Sequence, residues 1–183
     1  MGLEIATLAG GCFWCTEAVF NRLKGVEKVV SGYCGGETEN PDYESVSTGT
    51  TGHAESIQIT FNSEVISYKT LLDVFWKLHD PTTLNRQGGD VGTQYRSVIF
   101  YHDNAQKTTS EASLHSIERS GIYKDSIVTH IEPFKVFYKA EGYHQKYYNT
   151  NDSNPYCRIV IDPKITKLYK EFSTITKPTP HEV

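Results

Sequence analysis

Beyond its initiator the chain contains no methionine, and it has only four cysteines, at positions 12, 15, 34 and 157 of 183 residues. Freedom from methionine suits a protein living among oxidants, but compositional drift accounts for it equally well. So few cysteines are no sign of a disulfide-stapled scaffold, and a chain of this length can bury a core without staples. A basic excess is also missing. Lys and Arg number 18 against 22 Asp and Glu, a net charge of −4, which argues against nucleic acid and acidic membrane surfaces as partners. No apolar run approaches membrane-spanning length. The N-terminal MGLEIATLAGG lacks a basic n-region and is interrupted by Glu4. Gly2 suits myristoylation, but Ala6 stands where that pattern wants Ser or Thr. These absences leave a cytoplasmic globular protein as the expectation. In that compartment cysteines are more often catalytic or metal-binding than structural.

With no internal repeat and no linker, residues 1–183 read as a single catalytic domain, frayed over about 174–183 around Lys-Pro-Thr-Pro. Residues 3–9 read as a strand entering Gly10-Gly11. A helix follows from Cys12, with Cys15, Val19, Phe20 and Leu23 on one face and Gly25 as its stop. Strands are expected at 26–32, 53–61, 96–101 and 126–132. A helix over 67–78 is N-capped by Ser67 and buries Leu71, Phe75 and Leu78. Another is capped by Asp103, with Gln106 three residues on, and ends at Gly121. The stretches 34–52, 80–95 and 133–161 read as irregular, the last with a short helix near Tyr143. A final amphipathic helix uses Ile165, Leu168, Tyr169 and Phe172. This order points to a mixed α/β sandwich of the split-βαβ kind, with helices packed on a sheet.

The strongest local signal is Gly10-Gly11-Cys12-Phe13-Trp14-Cys15. A strand that ends in two glycines and opens a helix puts Cys12 in the first turn, where unpaired N–H groups and the helix dipole favour a thiolate. Cys15 lies one turn on and within reach of a disulfide; two buried small hydrophobes, or half of a zinc site, are the competing readings. Zinc wants a second pair of ligands, and no His-x₃₋₅-His accompanies Cys34 or Cys157. Phe13 and Trp14 can wall a small apolar pocket of the kind that grips a methyl group, or can simply fill core.

In the strand His53–Phe61, Glu55 shares a face with Ile57, Ile59 and Phe61. A carboxyl turned toward a core is either paired, or desolvated with a raised pKa and ready to act as a general acid. A strand-end glutamate reaching solvent is the alternative. The loop Asn85–Arg96 is polar and Gly-rich, with Asp90 and Tyr95 as hydrogen-bonding groups. It lacks the GKS/T ending of a phosphate-binding loop, and is either a ligand loop or a surface turn.

Taken together, these segments resemble the A class of peptide methionine sulfoxide reductases. The matching stretches are GGCFWC at 10–15, SGYCGG at 31–36, NPDYESV at 40–46, TGHAE at 51–55, FWKLHDPT at 75–82 and GTQYRSVIFYH at 92–102. YHQKYY at 143–148 and NPYCRIVIDPK at 154–164 complete the set, so the resemblance runs from about Leu3 to Phe172. It implies a ferredoxin-like α/β fold, Cys12 as the nucleophile, Glu55 as the acid, and Tyr43 and Tyr95 as donors to the sulfoxide oxygen. Phe13 and Trp14 match the wall for the methyl group, and Asp90 a family aspartate. The substrate implied is methionine S-sulfoxide, free or in oxidised proteins, with thioredoxin as reductant and no metal or organic cofactor. Many relatives carry Gly where this chain has Cys15 and resolve through a cysteine near the C-terminus. Here both Cys15 and Cys157 are available as the resolving thiol, with Cys15 favoured by proximity. Cys34 sits where relatives often have a small residue. A general thiol-disulfide oxidoreductase or peroxidase is the nearest rival, and needs neither Glu55 nor the tyrosines. A zinc-stabilised binding module using the cysteines and His53 or His144 is the rival from another class.

Overall fold

The computed structural model describes residues 2–179. The first half of the chain runs β1 (Leu3–Gly10), α1 (Phe13–Phe20), β2 (Val26–Cys34), α2 (Tyr43–Ser47), β3 (Ala54–Asn62) and α3 (Tyr68–Leu78). Then come β4 (Arg86–Gln87), β5 (Asp90–Val91), β6 (Ser97–Tyr101), α4 (Asn104–Ser120), β7 (His130–Pro133) and β8 (Phe137–Lys139). The chain closes with α5 (Tyr147–Thr150), a π turn over Cys157–Ile161 and α6 (Asp162–Glu171). No helix among the described residues is long and apolar enough to cross a membrane.

Six strands form one mixed sheet in the order β7-β6-β1-β3-β2-β8, antiparallel throughout except between β6 and β7. Leu8 on β1 lies opposite Ile57 on one side and Ile99 on the other. Period-two alternation then sorts the two faces. Leu8, Ile57, Ile59, Phe61 and Ile99 join the main core with α1, α3 and α6. Ala9, Cys34, Ala54, Val98 and Phe100 form a smaller cluster on the opposite face, with Phe134 and Phe137 against it. Glu55 lies among the first set, as its place in the strand requires.

The long helices and principal strands follow the sequence pattern, with β7 starting at His130 rather than 126. Ser67 caps α3 by accepting from the Thr70 N–H, and Asp103 caps α4 by accepting from the Gln106 N–H at 2.8 Å. The Gln106 side chain reaches one residue further back than a capping box would, accepting from the His102 N–H at 3.0 Å. The expectation of a tail frayed from residue 174 is corrected. Thr176 bridges to Leu23, Lys24 N donates to the Ile175 carbonyl, and the Lys177 N–H donates to the Arg22 carbonyl at 2.8 Å. The rest of the tail beyond 179 lies outside the described residues.

Candidate active site

Strand β1 delivers the chain to Cys12 through a turn that only glycine allows. Gly11 has φ +89°, and a Cβ there would run into the Gln87 side chain at 2.5 Å. Gln87 is itself fixed, its amide bridging the N–H and carbonyl of Asp80 at 3.0 and 2.9 Å. Cys12 is the N-cap of α1, its carbonyl accepting from the Cys15 N–H at 3.1 Å. Its side chain makes no capping bond. Glu55 supplies that bond from across the core, Oε2 accepting from the Phe13 N–H at 3.0 Å. One carboxyl thus satisfies an orphan donor of the helix and stands beside the thiol.

Glu55 is 3% exposed. Burial pushes its pKa up to about 8, and the charges of Asp90 and Cys15 add to the rise against the Phe13 hydrogen bond. It is therefore a protonated acid near neutral pH. The Cys12 thiol is also held well above its ordinary range, by burial first, then by its hydrogen bond with Cys15 and the charge of Glu55. The helix start favours a thiolate, as the sequence suggests, but burial outweighs it here. The Cys15 pKa moves the other way: it is lowered, chiefly by the hydrogen bond from Cys12, with Lys164 and the Tyr156 hydroxyl assisting against burial.

A cavity of about 180 Å³ opens over Cys12 and is lined by Phe13, Trp14, Tyr43, Glu55, Asp90, Tyr95 and Tyr156. All seven of the residues expected to act on substrate meet here. Trp14 is held on two sides: its indole N–H donates to His144 Nδ1 at 3.0 Å, and its ring stacks on Tyr147 with centroids 3.7 Å apart. Tyr43 enters from α2, whose Asp42–Ser45 capping box and Tyr43 N–H to Glu141 bond (3.0 Å) set its direction. Tyr95 ends a short 3₁₀ turn that Thr93 ties to the segment just after α2 by donating to the Gly49 carbonyl at 3.0 Å. The loop 80–95 is thus a built part of the site. Its β4–β5 hairpin pairs Gln87 with Asp90 and carries Asp90 to the cavity. Burial raises the pKa of Tyr43, Tyr95 and Tyr156, so all three phenols remain hydrogen-bond donors.

The family model described as peptide methionine sulfoxide reductase matches residues 4–176. The chain belongs to the peptide methionine sulfoxide reductase family. It is 55% identical to the peptide methionine sulfoxide reductase MsrA of Saccharolobus solfataricus, over 93% of this chain and 95% of that one. Among solved structures it is similar to reduced Mxr1 from Saccharomyces cerevisiae, with TM-score 0.78 and 36% identity over 85% of this chain and 90% of that one. The complex of Mxr1 with Trx2 also matches, with TM-score 0.56 and 29% identity over 80% and 85% of the two chains.

In this reductase the four cysteines divide by place. Cys12 and Cys15 touch, and Cys157 lies fully buried in the same core, on the π turn that packs against α1. Burial, and then the charge of Cys15, raises the Cys157 pKa, so the two thiols share one core although they lie far apart in sequence. Cys34 faces the other side of the sheet, with burial pushing its pKa up to about 12. His53 is a loop clip. Its Nδ1 accepts from the Gly36 N–H at 3.0 Å and its Nε2 meets the Thr38 carbonyl at 2.7 Å.

Sequence reasoning missed Tyr156, whose hydroxyl donates to Asp90 at 2.7 Å and stands 3.7 Å from the Cys15 sulfur. Only its adjacency to Cys157 hinted at it. Glu17 was missed too. Buried on α1, it accepts the Lys146 N–H on both oxygens at 2.9 Å, where Lys146 holds a left-handed φ of 52°. That clamp fixes the segment carrying His144 and Tyr147 behind Trp14. Glu17→Ala leaves the Lys146 N–H orphaned and should cost about 1–3 kcal/mol in urea unfolding. An unchanged midpoint and slope would contradict the clamp.

Proposed function

We propose that the protein reduces the S epimer of methionine sulfoxide, free or within oxidised proteins, in the cytoplasm, with thioredoxin as reductant. The single observation behind this reading is that a cysteine, a protonated glutamic acid and an aromatic wall share one small cavity. In the proposed pose the methyl group lies against Phe13 and Trp14. The sulfoxide oxygen faces Glu55, Tyr43 and Tyr95, and Cys12 approaches the sulfur. With methyl, oxygen and attacking thiol assigned, the rest of the substrate leaves by the mouth of the cavity in one chirality only.

Cys12 passes its proton toward Cys15 and attacks the sulfoxide sulfur while Glu55 protonates the oxygen. The S–O bond then breaks, the oxygen passes to Cys12 as a sulfenic acid, and methionine departs. Tyr43 and Tyr95 donate to the oxygen as its charge grows. Asp90, held by Tyr156, orders that side of the cavity. Cys15 displaces the sulfenic hydroxyl to give a 12–15 disulfide, which Cys157 can accept in turn before thioredoxin reduces it. The solved Mxr1–Trx2 complex supports the choice of reductant.

We also assign residues 1–183 to one catalytic domain with a ferredoxin-like core. The order β6-β1-β3-β2, antiparallel at each step with α1 and α3 as crossovers, supports it.

Thioredoxin-coupled turnover of the two epimers tests the reading: S-sulfoxide should be consumed and R-sulfoxide left, whereas equal rates would contradict the pose. The resolving order is tested without reductant. Cys15→Ser should release one methionine per chain and leave a trappable sulfenic acid on Cys12. Cys157→Ser should still form the 12–15 disulfide and turn over with thioredoxin. A 12–157 disulfide formed at parental speed in Cys15→Ser would reverse the order.

A further inference from the structure

The substrate cavity is not the sole space that the cysteine pair borders. A second, of about 480 Å³, is lined by Cys12 and Cys15 together with the Gly88-Gly89 turn, Asp90, Ile159 and Lys164. Phe13, Trp14, Tyr43, Glu55 and Tyr95 line the first cavity, Cys15 and Lys164 the second. Cys12, Asp90 and Tyr156 border both spaces, while Cys15 borders the second and not the first.

Lys164 is the cation of that second cavity, and the mechanism above gives it no work. It belongs to α6, whose first turn brings it down onto α1 and α3. Its ammonium is anchored by donating to the Leu78 carbonyl at 2.7 Å. It also lines a smaller cleft behind the pair with Gly10, Cys15, Phe75, Leu78 and His79, so Cys15 and Lys164 meet in both spaces. Among the described residues this half-buried lysine has no carboxylate salt bridge, and a desolvated ammonium favours a nearby anion.

We propose that Lys164 is the activating cation of the resolving step, holding Cys15 as the thiolate that attacks the oxidised Cys12. The proposal rests on Cys15 being the resolver. Its force comes from what oxidation does to the pair. In the resting protein the Cys12 thiol donates to Cys15 and is the largest influence lowering its pKa. Once Cys12 is a sulfenic acid that thiol is gone, and the charge of Lys164 is the next largest influence favouring the thiolate. The Cys15 thiolate pair then forms the S–S bond, the Cys12 S–O bond breaks, and the departing hydroxide takes a proton and leaves as water. The electrons balance within the chain: Cys15 is oxidised and Cys12 reduced from sulfenic acid to disulfide.

The groups facing this charge are known. Cys12 and Cys15 act from α1, Asp90 from β5, Tyr156 from before the π turn, Lys167 from the next turn of α6, and His79 from the end of α3. Burial lowers the Lys164 pKa, while the Cys15, Cys12 and Asp90 charges oppose that fall. His79 is kept neutral, its pKa held down to about 4 by burial, so it offers no second positive charge.

The test is the rate of 12–15 disulfide formation after one turnover without reductant, across pH, in Lys164→Met and Lys164→Arg. The Met variant should still release one methionine per chain, but close the disulfide about tenfold or more slowly near neutral pH. Its pH midpoint should move up, and its rate should approach the parent's in alkali, where the thiol ionises unaided. The Arg variant should recover most of the loss, which a merely structural lysine would not predict. Parental speed and an unmoved midpoint in Lys164→Met, with the 12–15 bond formed, would overturn the proposal. A bond formed elsewhere would instead overturn the choice of resolver. If the Met variant fails to fold, Lys164→Gln takes its place, with the same slowing expected and parental speed with an unmoved midpoint again overturning the proposal.

Discussion

Cys12→Ser should lose methionine sulfoxide reduction by on the order of 10³-fold or more, the scale on which enzymes fail when their nucleophile is removed. The prediction rests on place rather than on reactivity at rest. Cys15 is the more acidic sulfur of the pair, yet Cys12 is the one that lines the cavity with Glu55, Phe13 and Trp14. A buried, neutral Cys12 becomes nucleophilic as its proton leaves and the sulfoxide oxygen is protonated. The serine variant should fold, because the thiol side chain makes no capping bond and the helix start is held by Glu55. Residual single-turnover methionine release within tenfold of the parent would mean that another sulfur attacks.

Glu55→Gln should slow methionine release in the first turnover by roughly 10²-fold or more, the range expected for loss of a general acid. The pH dependence separates chemistry from packing. With a pKa of about 8 in the folded protein, Glu55 is protonated below that value and ionised above it. Parental activity attributable to the acid should therefore fall as pH rises through about 8, and the Gln variant should lack that limb. Stability should move the other way. The unfolded chain loses the proton near the ordinary 4.5, the folded protein near 8, so the folded state binds more protons in between and the carboxyl costs stability as pH rises through that window. Gln keeps an acceptor for the Phe13 N–H without that cost, so Glu55→Gln should be more stable than the parent above about pH 6, the gain levelling off past 8. A variant that is less stable and only a few-fold slower would assign Glu55 to structure.

The sequence carried a good part of this. The Gly10-Gly11-Cys12 turn and the period-two pattern of 53–61 are local, and both side chains they predicted, Cys12 and Glu55, face one cavity. The alternation in β3 was decisive because a one-residue slip would have turned Glu55 to the other face. What the sequence hid was short or long-range. The five residues of α2, the two-residue strands β4 and β5, and the three residues of β8 are too brief for any period to register. The proximity of Cys157, the Tyr156–Asp90 bond and the Glu17–Lys146 clamp join positions 66 to 142 residues apart, and nothing local in either partner announces them. The direction of the Cys12 pKa was misjudged for a physical reason. A helix N-terminus favours a thiolate within its first turn, but an 8% exposed sulfur beside a carboxyl loses more to desolvation than it gains.

The most direct measurement of the central claim is one turnover on methionine S-sulfoxide without reductant, quenched and mapped by mass. It should release about one methionine per chain and convert Cys12 and Cys15 of the parent to a disulfide, with sulfenic acid on Cys12 when Cys15→Ser is used. Methionine release with Cys12 still a free thiol, and oxidation found on Cys34 or Cys157 alone, would contradict it.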